Sequence, residues 1–225
     1  MIYITGDTHI PIDISKFNNS NFLEQKEMTK DDYVIICGDF GGVWNNSNEE
    51  LYWQKWLKEK NFTTLFVDGN HENFDLLEKY EIKEWNGGNV QLINDSIIHL
   101  MRGQIYNIQG LNFFVMGGAE SIDKHHRIEG KSWWRQEIPS RHEFDEGIDN
   151  LEKHNWKVDY VISHTCSMRV MEGLGYITEN NPLNSYFNFI EDELSYKHWY
   201  FGHFHDDIDI DGKHTLLYNK IIPIK

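Results

Sequence analysis

YVIICGDFGGVW, residues 33–44, holds the pattern on which the whole chain turns. Tyr33 to Cys37 is a short run of β-branched and apolar residues. It ends at Gly38-Asp39, and Gly41-Gly42 follows at once. A run of this length bounded by glycine reads as a buried strand. A Gly-Asp pair after a strand is a common turn. Asp39 is therefore either an ordinary turn residue or a carboxylate set at a strand end to bind something, with the glycines making room.

The same device recurs outward in both directions. Ile2 to Thr5 ends at Gly6-Asp7, Thr63 to Val67 at Asp68-Gly69, Tyr160 to Ser163 at His164, and His198 to Phe201 at Gly202-His203. Helical patterns fall between these runs. Ser47 to Lys60 opens with a capping box, Ser47 and Glu50, and carries Trp53, Trp56 and Leu57 at helical spacing. Ser140 to His154 repeats the box with Ser140 and Glu143 and places Phe144, Ile148 and Leu151 on one face. Asn181-Pro182 starts a third helix, with Leu183, Phe187, Ile190 and Leu194 aligned. The middle, 89–116, reads as β with turns at Asn94-Asp95, Arg102-Gly103 and Gln109-Gly110, and 207–224 reads as a second β meander turning at Asp211-Gly212. The expected class is α/β, with two packed sheets and helices outside.

Composition narrows the function. At 225 residues one domain, 1–225, is the expectation. Acidic residues outnumber lysine and arginine by 36 to 21, giving a net charge of -15, and such a surface disfavours long nucleic acid. A small phosphorylated ligand remains compatible if positive charge is local. The two cysteines, Cys37 and Cys166, make no disulfide framework. The start, MIYITGD, has no leader-like pattern and no span suits a membrane helix, so a cytoplasmic location is expected.

The strand ends share one chemistry: "GDTH" (Asp7, His9), "GDF" (Asp39), "GNHE" (Asn70, His71), "SHT" (His164) and "GHFH" (His203, His205). Residues just past the carboxyl ends of parallel strands converge on one crevice. Two carboxylates, an amide and several imidazoles suit borderline divalent cations. Each cluster alone reads as a turn or a hydrogen-bonded histidine; their order and placement point to a shared site.

That order resembles the calcineurin-like metallophosphoesterase superfamily, in its small single-domain bacterial and phage forms, across Asp7 to His205. The resemblance implies a four-layer α/β/β/α sandwich of two mixed β-sheets flanked by helices. It implies two divalent metal ions, manganese first, with iron, zinc or nickel as alternatives. Asp7, His9 and His205 would hold one ion, Asn70, His164 and His203 the other, and Asp39 would bridge them. The implied chemistry is phosphate-ester hydrolysis by a hydroxide activated between two metals. His71 would face the substrate as general acid or phosphate stabiliser.

Many relatives that resemble protein phosphatases read GDxxDR, where the second Asp orients the histidine and the Arg binds phosphate. Here those positions are Gly42 and Val43. Another segment must supply charge, and 117–141 is basic within an acidic chain. It resembles a GGAxSxDKxxRxxGxSWW pattern of some bacterial and phage members and reads as a substrate-side insertion. Arg127, with Lys124, His126 and Trp133, is the candidate substrate-binding set. Trp133 and Trp134 would then stack on a base or line the cleft; the competing reading makes them packing residues of a surface loop and leaves the charges solvated. A phosphodiesterase on a small or nucleotide-like substrate is the first reading. A phosphomonoesterase or protein phosphatase is the alternative, and a non-catalytic metal-binding scaffold the second. Oligomeric state is not legible.

Overall fold

A computed structural model describes residues 1–176 and 181–224. The runs that end at the polar clusters form strands: β1 (Ile2–Thr5), β2 (Tyr33–Ile36) and β3 (Thr63–Phe66) pair in parallel, with α1 (Asn48–Lys58) between the last two. After a single turn of helix, α2 (Phe74–Leu77), come β4 (Ile82–Trp85), β5 (Gly88–Asn94) and β6 (Ile97–Leu100). Next are β7 (Ile105–Ile108), β8 (Leu111–Met116), α3 (Arg141–Lys153), β9 (Tyr160–Ser163), α4 (Met168–Gly173), α5 (Pro182–Glu193) and β10 (His198–Phe201). The chain closes with β11 (Ile208–Asp209), β12 (His214–Leu216) and β13 (Ile221–Pro223).

The strands build a 7-stranded sheet, β13-β1-β2-β3-β6-β5-β4, and a 6-stranded sheet, β11-β12-β10-β9-β8-β7. Alternation along each strand decides the layers. Ile35 and Leu65 of the first sheet pack with Phe113, Val115 and Ile162 of the second, so this cluster fills the space between sheets. Val34, Ile36 and Phe66 point the other way, against Phe17, Leu57 and Phe62. Phe114, Val161 and Phe201 pack under Leu151, Leu183, Phe187 and Ile190 from the helices of the second sheet. The result is the expected α/β/β/α sandwich, with both sheets mixed.

Three local readings need correction. The 89–116 stretch is no single meander: β5 and β6 belong to the first sheet, β7 and β8 to the second. The C-terminal stretch also divides, since β12 lies parallel to β10 while β13 crosses to pair antiparallel with β1. Local hydrophobic pattern marks a strand but carries no record of its partner. The Ser47 capping box is half formed: the Ser47 hydroxyl accepts from Glu50 N–H, but the Glu50 carboxylate accepts from the N–H groups of Trp44, Asn45 and Asn46. The Ser140 box is complete, and Asn181 caps α5. No helix among the described residues is long and apolar enough to cross a membrane.

Candidate metal centre and the cavity beside it

The loops after β1, β2, β3, β9 and β10 meet where the two sheets present their carboxyl ends. Asp39 is the point of contact. Its Oδ2 lies 3.2 Å from His9 Nε2, and its Oδ1 lies 3.3 Å from His164 Nε2. Asn70 Oδ1 is 3.1 Å from the same His164 Nε2, and His205 Nε2 is 3.2 Å from Asp7 Oδ2. The His203 ring lies 4.9 Å from that of His164. Three triads bring ligand atoms within 4.8 Å of one another: Asp7, His9 and His205; His9, Asp39 and His71; and Asp7, Asp39 and His164. His71, read from the sequence as a substrate-facing residue, thus sits at the centre's edge, with its backbone N–H donating to Asp39 Oδ1 at 2.8 Å.

The backbone is strained to make this arrangement. His9, Asp39, His203 and His205 have φ of 34°, 46°, 74° and 52°. Positive φ in residues other than glycine is uncommon and gathers at functional sites. The glycines before the ligands are needed for space. A Cβ on Gly69 would lie 2.1 Å from Asp39 Oδ1, and one on Gly202 would lie 2.2 Å from Asp7 Oδ1.

Further groups fix the candidate ligands. His9 Nδ1 meets Asp13 Oδ2 at 2.9 Å, and His164 Nδ1 meets the Cys37 carbonyl at 2.8 Å, so each ring turns Nε2 inward. Buried Lys16 donates to the Asp7 carbonyl at 2.6 Å, and burial pushes its pKa down to about 8. Glu72 Oε1 accepts from Phe40 N–H at 2.7 Å, which pins the residue next to Asp39. Asp13, Lys16 and Glu72 escaped the sequence reading, because each acts through a backbone or ring contact that no spacing marks.

The electrostatics suit a cation. Burial works against the Asp39 charge, yet His164 and His9 hold its carboxyl well below the usual range. Burial likewise opposes charge on His164, but Asp39 and Asp7 raise it to about 10. His203 is pushed down to about 4 by burial, then by His164. Asp7 is fully buried, and its Oδ2, although His205 Nε2 lies 3.2 Å away, accepts no hydrogen bond of good geometry from the described residues. A buried carboxylate oxygen left without a donor is costly, and a metal ligand is the usual remedy. The donor set, carboxylate oxygen with imidazole nitrogen, fits divalent transition ions.

A profile of the calcineurin-like phosphoesterase family matches residues 1–207. The chain belongs to that family. It is also similar to lariat debranching enzyme A of Xenopus laevis, with 27% identity over 125 residues. That alignment covers 49% of this chain and 23% of the relative.

Beside this candidate metal centre the calcineurin-like phosphoesterase has a cavity of about 880 Å³. Asp39, Asn70 and His71 form its floor, and the 120–127 loop supplies one wall with Lys124 and Arg127. Arg127 Nη2 comes within 3.4 Å of His71 Nε2, while its Nε pairs with Asp123 at 2.8 Å. Lys124 pairs with Glu120. The other two sequence candidates lie elsewhere. His126 is exposed with its ring tilted 47° against that of His125, and Trp133 lines a separate cavity of about 220 Å³. Trp134 is buried, donates to Asp75 at 3.0 Å and packs edge-on against Trp44, so for it the packing alternative describes what is seen.

Proposed function

We propose that this protein is a metal-dependent phosphodiesterase for a small, nucleotide-like substrate. The observation that carries the reading is Asp39, whose two oxygens face one histidine from each half of the ligand set. Asp7, His9 and His205 would hold one divalent ion, and Asn70, His164 and His203 the other, with Asp39 shared and manganese the first choice. When bound, two such ions supply Lewis-acid charge to the phosphoryl oxygens and lower the pKa of water. The protein's own groups do the rest. Asp13 and the Cys37 carbonyl orient the His9 and His164 rings. His71 on the cavity floor and Arg127 on the adjoining wall stand together, placed to hold a phosphate oxygen and to meet the leaving oxygen.

Charge favours a diester over a monoester. Among the described residues, the lysine and arginine lining the cavity are Lys124 and Arg127, and each is already paired with a carboxylate. A doubly charged terminal phosphate wants more positive charge than that; a singly charged diester wants less. Position 43 cannot supply it, because Val43 is fully buried in the core beneath α1. The net charge of -15 further favours a small substrate over a long polymer. Similarity to a lariat debranching enzyme supports the nucleotide class.

The test is hydrolysis of bis-p-nitrophenyl phosphate and p-nitrophenyl phosphate by the Mn²⁺-supplemented protein. A higher kcat/KM on the diester is expected. A monoester preference overturns the ordering, and hydrolysis of neither, together with no bound transition metal, favours the scaffold reading.

A further inference from the structure

The cavity is larger than a phosphate group requires, and besides the basic loop its lining includes two aromatic rings, Tyr176 and Phe204. Phe204 sits between the two histidines of "GHFH", so its ring is fixed beside the metal centre. Tyr176 stacks on it, with centroids 4.5 Å apart and planes 30° from parallel. Both rings line the cavity, and Tyr176 remains 38% exposed. Ile122, from the basic loop, is 82% exposed and lines the same cavity. Asn184 of α5 lies 1% exposed in the lining. Its amide nitrogen donates to the Cys166 carbonyl at 2.8 Å, which fixes the orientation of the group. Its Oδ1 accepts no hydrogen bond from any described residue. A buried acceptor without a donor among the described residues, lining one cavity with a stacked ring pair and with His71 and Arg127, is the outline of a site for a planar heterocycle carrying an N–H.

We infer that Tyr176, Phe204 and Asn184 form a nucleobase subsite: the ring pair stacks the base, and Asn184 Oδ1 accepts from a base N–H. The inference rests on the phosphodiesterase reading and adds to it the part of the substrate that is recognised. It also moves the stacking role away from Trp133 and Trp134. Ile122 would cover the base from the loop side. Stacking of a base on an aromatic ring tolerates any base, so the subsite selects nucleotides as a class, while Asn184 prefers those whose N–H reaches it.

The test is calorimetric binding of adenosine 5′-monophosphate and of ribose 5-phosphate to the Mn²⁺-loaded protein, with ribose 5-phosphate as the internal reference. The nucleotide should bind roughly tenfold tighter or better. Tyr176→Ala should bring that ratio to within about twofold of unity, and Tyr176→Phe should keep it. Equal affinities in the unaltered protein, a preference that survives Tyr176→Ala, or absence of binding by either sugar phosphate in a protein that hydrolyses diesters would each overturn the subsite. A protein that prefers the nucleotide through Tyr176 but hydrolyses no diester would keep the subsite and lose the phosphodiesterase reading.

Discussion

Arg127 Nη2 lies 3.4 Å from His71 Nε2. A guanidinium carries only donors, so this contact requires His71 to offer its Nε2 lone pair and to carry its proton on Nδ1. Burial lowers the His71 pKa, and Arg127 adds to that effect. The loop that carries Arg127 thus reaches the one histidine that the resemblance assigns to substrate. Arg127→Ala is expected to lower kcat/KM on a diester about 10- to 100-fold, the loss of one charged hydrogen bond in the transition state. Metal content, measured on the same sample, should stay unchanged. An unaltered kcat/KM would remove Arg127 from the reaction.

The spacing at Gly69 gives a second expectation. An added Cβ would lie 2.1 Å from Asp39 Oδ1 and 2.5 Å from the Asp39 backbone nitrogen. The second atom belongs to main chain already held at positive φ, so it has little freedom to retreat. Gly69→Ala should weaken Mn²⁺ binding about 10- to 100-fold, the usual effect of disturbing groups that orient metal ligands. A Mn²⁺ titration checks this, and circular dichroism should show the fold retained. Unchanged affinity would mean that the glycine serves only the turn.

Asp68, next to Gly69, leads to an expectation about acid. It is buried and takes hydrogen bonds from Arg102 Nε at 2.8 Å and from the His99 ring at 3.1 Å. Burial alone would raise its carboxyl, but Arg102 and His99 hold it well below the usual range. The sign follows from a folded pKa below the unfolded one. The carboxylate contributes stability above its unfolded pKa, near 3.8, and that contribution fades as pH falls towards the folded value. Arg102→Met should therefore destabilise by about 3–5 kcal/mol at neutral pH, because it removes the guanidinium partner of the buried Asp68 carboxylate and leaves only the His99 contact. The difference between variant and parent should shrink below pH about 4. Denaturant unfolding at several pH values measures it, and a pH-independent difference would contradict the pairing.

Much of this was legible in residue order. The five strand ends, the polar residues gathered after them and the helix caps at Ser140 and Asn181 are local features, and local features survive into the fold. What pairs with what was not legible. The 89–116 run divides between sheets, and β13 leaves β12 to join β1, because strand partnership depends on contacts far apart in sequence. Trp134 looked available for stacking, but the chain supplies Asp75 to hold its indole and Trp44 to pack it. Phe204 was in view all along inside "GHFH", yet only its contact with Tyr176 gives it meaning. The glycines of "CGDFGGVW" divide by role: Gly38, at φ 94°, leaves room for the His164 ring, while Gly42 packs against Phe40.

The central claim is that Asp39 is shared by two metal ions. Mn²⁺ titration of the metal-free protein, followed by electron paramagnetic resonance and elemental analysis, tests it most directly. The account expects two equivalents bound per chain, with the signal of a magnetically coupled pair, and loss of that coupling in Asp39→Asn. One equivalent with the signal of an isolated ion, or a coupled pair that persists in Asp39→Asn, would contradict it.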